Sequence, residues 1–129
     1  MTDAIAPRVL IIEDEPLIAL SLEDLLIDAG FLVSGVAARL AKALEMIKLD
    51  TCDVALLDAN LAGVSSSPAG AALAALDVPY IILSGYSPTQ KDGMFPDAAI
   101  FMQKPFVPDR LIEELRKLIA QPVAAEAPR

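Results

Sequence analysis

The chain contains no histidine, and this absence excludes several kinds of chemistry. A Ser-His-Asp hydrolase and a histidine-ligated zinc site both require an imidazole. A phosphohistidine relay within the chain is excluded for the same reason. Any acid–base or nucleophilic chemistry must therefore use carboxylates, hydroxyls, lysine or a thiol.

Cysteine and long apolar runs are also scarce. The single cysteine, Cys52, can form no intramolecular disulfide, which suits a reducing compartment. The apolar run at residues 9–12 is too short for a signal peptide and is followed by three acids. No stretch is long and apolar enough to span a membrane. We therefore expect a soluble cytoplasmic protein with no membrane partner.

Basic residues are fewer than acidic ones: the chain has 10 Lys and Arg residues and 18 Asp and Glu residues, which give a net charge of −8. An acidic chain repels phosphate backbones, so we expect no nucleic-acid partner. The 129 residues suit one compact domain that needs no disulfide or structural metal to fold. We expect that domain, a monomer, to cover residues 1–120, with a disordered tail at 121–129.

Short apolar runs alternate with helical patterns along the chain. The patterns predict strands over residues 8–12, 31–36, 54–57, 78–83 and 98–102. They predict helices that begin at Pro16, near Leu40, at Pro68 and at Pro108. This alternation indicates an α/β fold, a five-stranded parallel sheet with helices on both faces. Between the last two strands, Pro88, Gly93 and Pro96 predict a short or irregular helix.

Polar side chains follow four of the five predicted strands. They are Glu13 and Asp14 after the first strand, Asp58 and Asn60 after the third, Ser84 at the end of the fourth and Lys104 after the fifth. Ligands of an open parallel sheet bind beyond the carboxyl ends of the strands, where the strand order reverses. In the order 2-1-3-4-5 that point lies between strands one and three, and strand two lies outside it. Strand two is followed only by Ala37 and Ala38.

Each of these groups has an ordinary interpretation when it is taken alone. Three acids in a row at residues 13–15 are commonly a solvated start of a helix. Asp58 after an apolar strand is commonly a turn or cap residue, and Tyr86 and Phe101 are commonly packing residues. The joint arrangement is what is specific, because four independent strand ends carry a suitable group.

The assembled charges are consistent with phosphoryl chemistry. Glu13, Asp14 and Asp58 would place up to three negative charges together, and like charges at ~4 Å repel by roughly 4 kcal/mol per pair at an effective dielectric near 20. Such a cluster calls for a cation, and carboxylate oxygens suit Mg²⁺ (or Mn²⁺). Lys104 and Ser84 would add an ammonium and a hydroxyl donor. A carboxylate such as Asp58 can itself be the nucleophile and form an aspartyl phosphate.

At these residues the sequence resembles the receiver domains of response regulators in two-component signalling, over roughly residues 8–120. In that resemblance Asp58 is the phosphoacceptor, and Ser84 and Lys104 act on the phosphoryl group. The metal ligands it implies are Glu13, Asp14, Asp58 and the main-chain carbonyl of Asn60. It also implies a flavodoxin-like fold, a cis peptide bond before Pro105, and an aromatic switch at Phe101, with Tyr86 as a second candidate.

The sequence departs from the family pattern in two places. Glu13 stands where aspartate is commoner, and Ala62 with the serine-rich residues 63–67 replaces the usual Met-Pro. Residues 79–86, Pro-Tyr-Ile-Ile-Leu-Ser-Gly-Tyr, are similar in part to an alphaproteobacterial subgroup with the motif Pro-Phe-x-Phe-Ala-Thr-Gly-Tyr. In that subgroup the helix after this motif tends to be poorly formed. The resemblance therefore agrees with the helix breakers noted above.

The resemblance implies a response regulator without an output domain. It would take a phosphoryl group from a histidine kinase or a histidine phosphotransfer protein and signal by contact with an unidentified downstream protein or by phosphorelay. We expect no enzyme activity beyond its own phosphorylation and dephosphorylation. Residues 85–97 are predicted to be the mobile element, forming a partner-binding face with the last strand and helix.

Two alternatives remain open. One is a small Mg²⁺-dependent phosphatase with an aspartyl-phosphate intermediate, although such enzymes usually carry a cap domain and a second acid where Asn60 stands. The other is a degenerate receiver that acts only as a binding module. A nucleotide-binding protein is less favoured, because no phosphate-binding glycine-rich loop occurs.

Overall fold

The computed structural model describes residues 6–49, 52–85 and 95–120, with Ala120 described in its main chain only. Within these residues the chain forms helices and strands in alternation, with one short hairpin. The elements are β1 (Arg8–Ile12), α1 (Pro16–Asp28), β2 (Leu32–Ala37), α2 (Leu40–Leu49), β3 (Val54–Asp58), β4 (Asn60–Leu61), β5 (Val64–Ser65), α3 (Ser67–Ala75), β6 (Tyr80–Ser84), β7 (Ile100–Gln103) and α4 (Pro108–Ala120).

Five of the strands form one parallel sheet in the order β2-β1-β3-β6-β7. Since β6 and β7 are the predicted fourth and fifth strands, the order 2-1-3-4-5 and the α/β class are confirmed. The second strand begins one residue later than predicted, because the buried Phe31 lies in the connection before it and extends the apolar pattern. The fifth strand begins two residues later than predicted, at Ile100.

The core lies on both faces of the sheet. Alternate residues of β1 point to opposite faces, so Leu10 and Ile12 belong to one buried cluster and Val9 and Ile11 to the other. The first cluster includes residues of α2 and α3, and the second includes residues of α1 and α4. A strand that is covered on both faces must be apolar at every position, which explains the continuous apolar runs.

The hairpin formed by β4 and β5 was not predicted. It follows Asp58 almost directly and pairs Asn60 with Ser65 and Leu61 with Val64. Its two turn residues, Ala62 and Gly63, have φ values of 52° and 91°. The glycine is the available signal for such a turn, but alanine is uncommon at positive φ, which concealed the pattern.

Some predictions lie outside the described residues. These are most of the segment at residues 87–97, where a short or irregular helix is predicted, the position of Tyr86, and the tail at residues 121–129. Within the described ranges, no helix combines the length and the apolar character needed to cross a bilayer.

Candidate functional site

The predicted site residues come from neighbouring strands whose carboxyl ends share one edge of the sheet. Glu13 directly follows β1, Asp58 is the last residue of β3, and Lys104 directly follows β7. The main-chain N–H of Lys104 donates to the carbonyl of Ser84 at 2.7 Å, which holds the loop after β7 against the end of β6. The sheet topology therefore brings these groups together from positions 91 residues apart in the chain.

Three carboxylates form the centre of this arrangement. One oxygen from each of Glu13, Asp14 and Asp58 lies within 4.8 Å of the others. Glu13 is 1% exposed and Asp58 is 8% exposed, whereas Asp14 is half-buried. Three oxygen donors at this spacing, with one side open to solvent at Asp14, fit a hard divalent cation such as Mg²⁺.

Lys104 is the cation that the structure places within this cluster. Its Nζ lies 3.1 Å from Asp58 Oδ2 and 3.3 Å from Glu13 Oε1, and its side chain is 22% exposed. One ammonium does not balance three carboxylates. The described site therefore retains an excess of negative charge that a bound divalent cation would offset.

The burial of Glu13 changes its protonation. Burial, followed by the nearby charge of Asp58, raises the pKa of Glu13 from 4.5 to about 7. The N–H of Glu15, which donates to Glu13 Oε2 at 3.2 Å, and the Lys104 ammonium oppose this rise. The pKa of Lys104 is raised: burial lowers it, but the charges of Asp58 and Glu13 and the hydrogen bonds to them outweigh that effect.

The main chain after Asp58 is fixed by hydrogen bonds to Asp58 itself. The N–H of Asn60 donates to Asp58 Oδ1 at 3.1 Å, and the hydroxyl of Ser66 donates to the Asp58 carbonyl at 2.6 Å. The side-chain oxygen of Asn60 accepts from the N–H of Gly63 at 2.7 Å within the hairpin turn. Asn60 is thus held by both Asp58 and the hairpin, and its main-chain carbonyl is the atom that the resemblance implies as a metal ligand.

The other predicted residues lie on β6 and β7. Ser84 is the last residue of β6 and is buried beside the end of β3, where Leu83 is aligned with Asp58. Phe101 is half-buried on β7, and its ring lies edge-on to that of Phe95, with centroids 6.1 Å apart and planes at 72°. The peptide bond between Lys104 and Pro105 is cis, as the resemblance implies.

Sequence reasoning missed two residues near the site. Ser66 is fully buried, but a serine shortly before Pro68 at the start of a helix is common and carries no pattern that singles it out. Phe95, which is also buried, lies among the helix-breaking residues before the fifth strand and carries no pattern that singles it out. Their contacts, with Asp58 and with Phe101, are fixed only by the folded chain.

Comparison with known proteins agrees with this fold. The family model of the response regulator receiver domain matches residues 9–116. The chain therefore belongs to the response regulator receiver domain family, and the predicted resemblance is confirmed.

The relatives identify a narrower likeness. The phyllosphere-induced regulator PhyR of Methylorubrum extorquens is 36% identical over 106 residues, which cover 80% of this chain and 40% of that protein. The chain thus spans about 40% of the length of the curated relative that it matches. The solution structure of the Erythrobacter litoralis PhyR receiver domain has a TM-score of 0.80 at 31% identity, covering 96% of this chain and 95% of that one. The Bartonella quintana anti-anti-sigma factor PhyR has a TM-score of 0.79 at 30% identity, covering 89% and 49% respectively.

Proposed function

We propose that the chain is a phosphoacceptor and that Asp58 takes up a phosphoryl group with the help of Mg²⁺ or Mn²⁺. The observation that carries this proposal is the position of the Asp58 carboxylate, grouped with two further acids within 4.8 Å and 3.1 Å from the Lys104 ammonium. Glu13, Asp14, Asp58 and the carbonyl of Asn60 would hold the metal. The bound cation would offset negative charge on the carboxylates and on the incoming phosphoryl group.

Asp58 is the nucleophile in this proposal. One of its carboxylate oxygens forms a new bond to phosphorus while the bond between phosphorus and the donor nitrogen breaks, and the donor histidine leaves with the electron pair and takes up a proton. Lys104 neutralises charge on the transferring group, and the hydroxyl of Ser84 donates to a phosphoryl oxygen. Phosphoryl transfer depends mainly on such positioning and charge stabilisation.

The donor in this proposal is another protein. The chain has no histidine, so a phosphohistidine must come from a histidine kinase or a histidine phosphotransfer protein. Output then occurs by protein contact or by passage of the phosphoryl group, and the chain catalyses only its own phosphorylation and dephosphorylation. Because one relative is described as an anti-anti-sigma factor, an anti-sigma factor is a downstream partner to test.

Labelling with a small phosphodonor tests the proposal. With acetyl phosphate and Mg²⁺, mass spectrometry should locate the phosphoryl group on Asp58, and chelation of the metal should prevent labelling. Asp58→Asn should abolish it. A phosphoryl group mapped to another residue would overturn the assignment.

The matched control is Asp77→Asn. Asp77 is exposed in the turn between α3 and β6, at the opposite end of the sheet, and has a φ of 60° that asparagine readily adopts. This variant should be labelled like the wild type.

A further inference from the structure

Ser66 connects the end of β3 to the start of α3. Its side chain is fully buried, and its hydroxyl donates to the carbonyl of Asp58 at 2.6 Å. Its N–H donates to the carbonyl of Ala59 at 3.1 Å, and its own carbonyl accepts from the N–H groups of Ala69 and Gly70. One residue thus links the proposed phosphoacceptor to the first turn of the following helix.

The hydroxyl of Ser66 does not cap the helix that it precedes. Ser66 occupies the N-cap position of α3, where a serine side chain usually accepts from the helix, but it forms no side-chain cap. The N–H of Ser67 is instead met by the hydroxyl of Ser65 at 3.2 Å. The Ser66 hydroxyl is therefore directed away from its helix and toward Asp58.

The Asp58 carbonyl requires such a donor because of its place in the sheet. The N–H of Ala59 donates to Leu83, so by alternation the main-chain groups of Asp58 face the β1 side. The register between β1 and β3 ends with the pair of Ile12 and Leu57, one residue before Asp58. The carbonyl of Asp58 thus extends beyond the β1 ladder, and Ser66 provides its donor there.

The same contact closes the base of the hairpin that carries Asn60. The chain leaves Asp58, passes through β4 and β5, and returns at Ser66, which bonds to both Asp58 and Ala59. Asn60 lies inside this closed segment and donates its N–H to Asp58 Oδ1. Movement of Ser66 away from Asp58 would free the Asp58 carboxylate and the Asn60 carbonyl, the two groups of this segment that are proposed to bind the metal.

We infer that Ser66 is a positioning residue for the metal-binding and phosphoacceptor site, acting through its hydroxyl on Asp58 and through the hairpin on Asn60. This inference rests on the proposed function of Asp58. Partners that orient the ligands of a metal typically alter its affinity by 10- to 100-fold when they are removed.

The test measures Mg²⁺ binding by calorimetry without any phosphodonor, and then the rate of labelling by acetyl phosphate. Ser66→Ala should raise the Kd for Mg²⁺ by about tenfold and slow labelling at a fixed low Mg²⁺ concentration. Ser65→Ala is the matched control, since it removes a neighbouring serine hydroxyl that bonds to Ser67 and not to Asp58. Its Kd should stay within about twofold of the wild type.

A loss of folding is separated from a loss of positioning in two ways. Both variants are measured well below their melting temperatures, where the folded fraction is close to one, so that the Kd is that of the folded molecules and an irreversibly misfolded fraction lowers only the stoichiometry. If Ser66→Ala does not fold, Ser66→Thr and Ser66→Cys decide the question, because threonine keeps a hydroxyl donor and cysteine is only a weak one. Ser66→Thr should bind Mg²⁺ more tightly than Ser66→Cys by about tenfold.

The outcomes distinguish this inference from the proposed function. A wild type that neither binds Mg²⁺ nor is labelled overturns both. A wild type that does both, with an unchanged Kd in Ser66→Ala or equal values in the threonine and cysteine variants, overturns the role of Ser66 alone.

Discussion

Lys104 and Asp58 form an ion pair that reaches across one strand of the sheet. Their Nζ and Oδ2 atoms are 3.1 Å apart, although β7 and β3 are separated by β6. Lys104 Nζ is also 3.3 Å from Glu13 Oε1. A single ammonium therefore contacts Asp58 at the end of β3 and Glu13 at the end of β1. Among the described residues, the Lys104 ammonium is therefore the main positive charge that compensates the acidic cluster.

Removal of the Lys104 ammonium should impair both stability and phosphoryl transfer. Lys104→Met keeps much of the apolar stem but leaves Glu13 and Asp58 without their cation. In the absence of metal we expect a loss of about 1–2 kcal/mol in the free energy of unfolding, limited because Glu13 can take up a proton. The rate of labelling at Asp58 should fall by roughly 100-fold.

The control for Lys104→Met is Lys42→Met. Lys42 pairs with Glu45 at 3.4 Å, but both side chains are more than half exposed, so its loss should cost less than about 0.5 kcal/mol. Denaturant unfolding gives the stabilities. Labelling of Lys104→Met at the wild-type rate would show that the ammonium has no part in the transfer.

Mg²⁺ should stabilise the wild type and act much less on Asp58→Asn. At 100 times the Kd, the gain in unfolding free energy is roughly 2.7 kcal/mol. Without metal, Asp58→Asn should be neutral or stabilising, because it removes one crowded charge, leaves Lys104 paired with Glu13, and keeps an acceptor for the N–H of Asn60.

Thermal melting with and without Mg²⁺ tests this, with Asp77→Asn as the variant that should respond like the wild type. A clear loss of stability in metal-free Asp58→Asn would mean that Asp58 serves mainly as a structural cap.

The raised pKa of Glu13 gives the metal-free protein a pH dependence of known sign. Because the pKa rises from 4.5 to about 7, the folded state binds more protons than the unfolded state between these values. Glu13 therefore contributes least to stability when it is ionised, and the free energy of unfolding should decrease as the pH rises from about 5 to 8. The contribution of this one group is up to about 3 kcal/mol.

Glu13→Gln isolates that contribution. Urea unfolding at pH 5 and pH 8 should show a smaller decrease for Glu13→Gln than for the wild type, whereas Glu15→Gln, at an exposed position, should retain the wild-type decrease. Equal pH dependence in all three proteins would contradict the assignment to Glu13.

Activation should change residues 85–97, most of which lie outside the described ranges. A phosphoryl group that accepts from Ser84 would draw the end of β6 toward Asp58, and Phe101 or Tyr86 would occupy the vacated space. Hydrogen exchange with and without beryllofluoride should show a change in protection over this segment. Protection that is already high and does not change would mean that output leaves by another face.

The local sequence pattern was sufficient to place the polar site residues that lie at the ends of strands. Glu13 and Asp58 were each placed correctly at the end of an apolar run, because a strand covered on both faces must be apolar until it reaches the edge of the sheet. Lys104 was also placed correctly after the fifth strand, although that strand lies at the side of the sheet and ends in the exposed Gln103. The hairpin between Asp58 and α3 was missed, since its turn uses Ala62 at a positive φ that alanine seldom adopts. Ser66 was not singled out from the sequence, because the direction of its hydroxyl, toward the Asp58 carbonyl and not toward its helix, depends on the folded chain.

The amino-acid sequence by itself determined the α/β alternation, the strand order expected for it, and the chemical groups at the carboxyl edge. The alternation and the chemical groups follow from periodicity and residue type, which are local properties, whereas the strand order is that of the fold implied by the resemblance. Only the tertiary structure decided which carboxylate oxygens meet Lys104, how far burial alters the pKa of Glu13, and that the Ser66 hydroxyl turns to the Asp58 carbonyl. Distances, desolvation and hydrogen-bond direction depend on groups brought together from distant positions, and no local pattern encodes them.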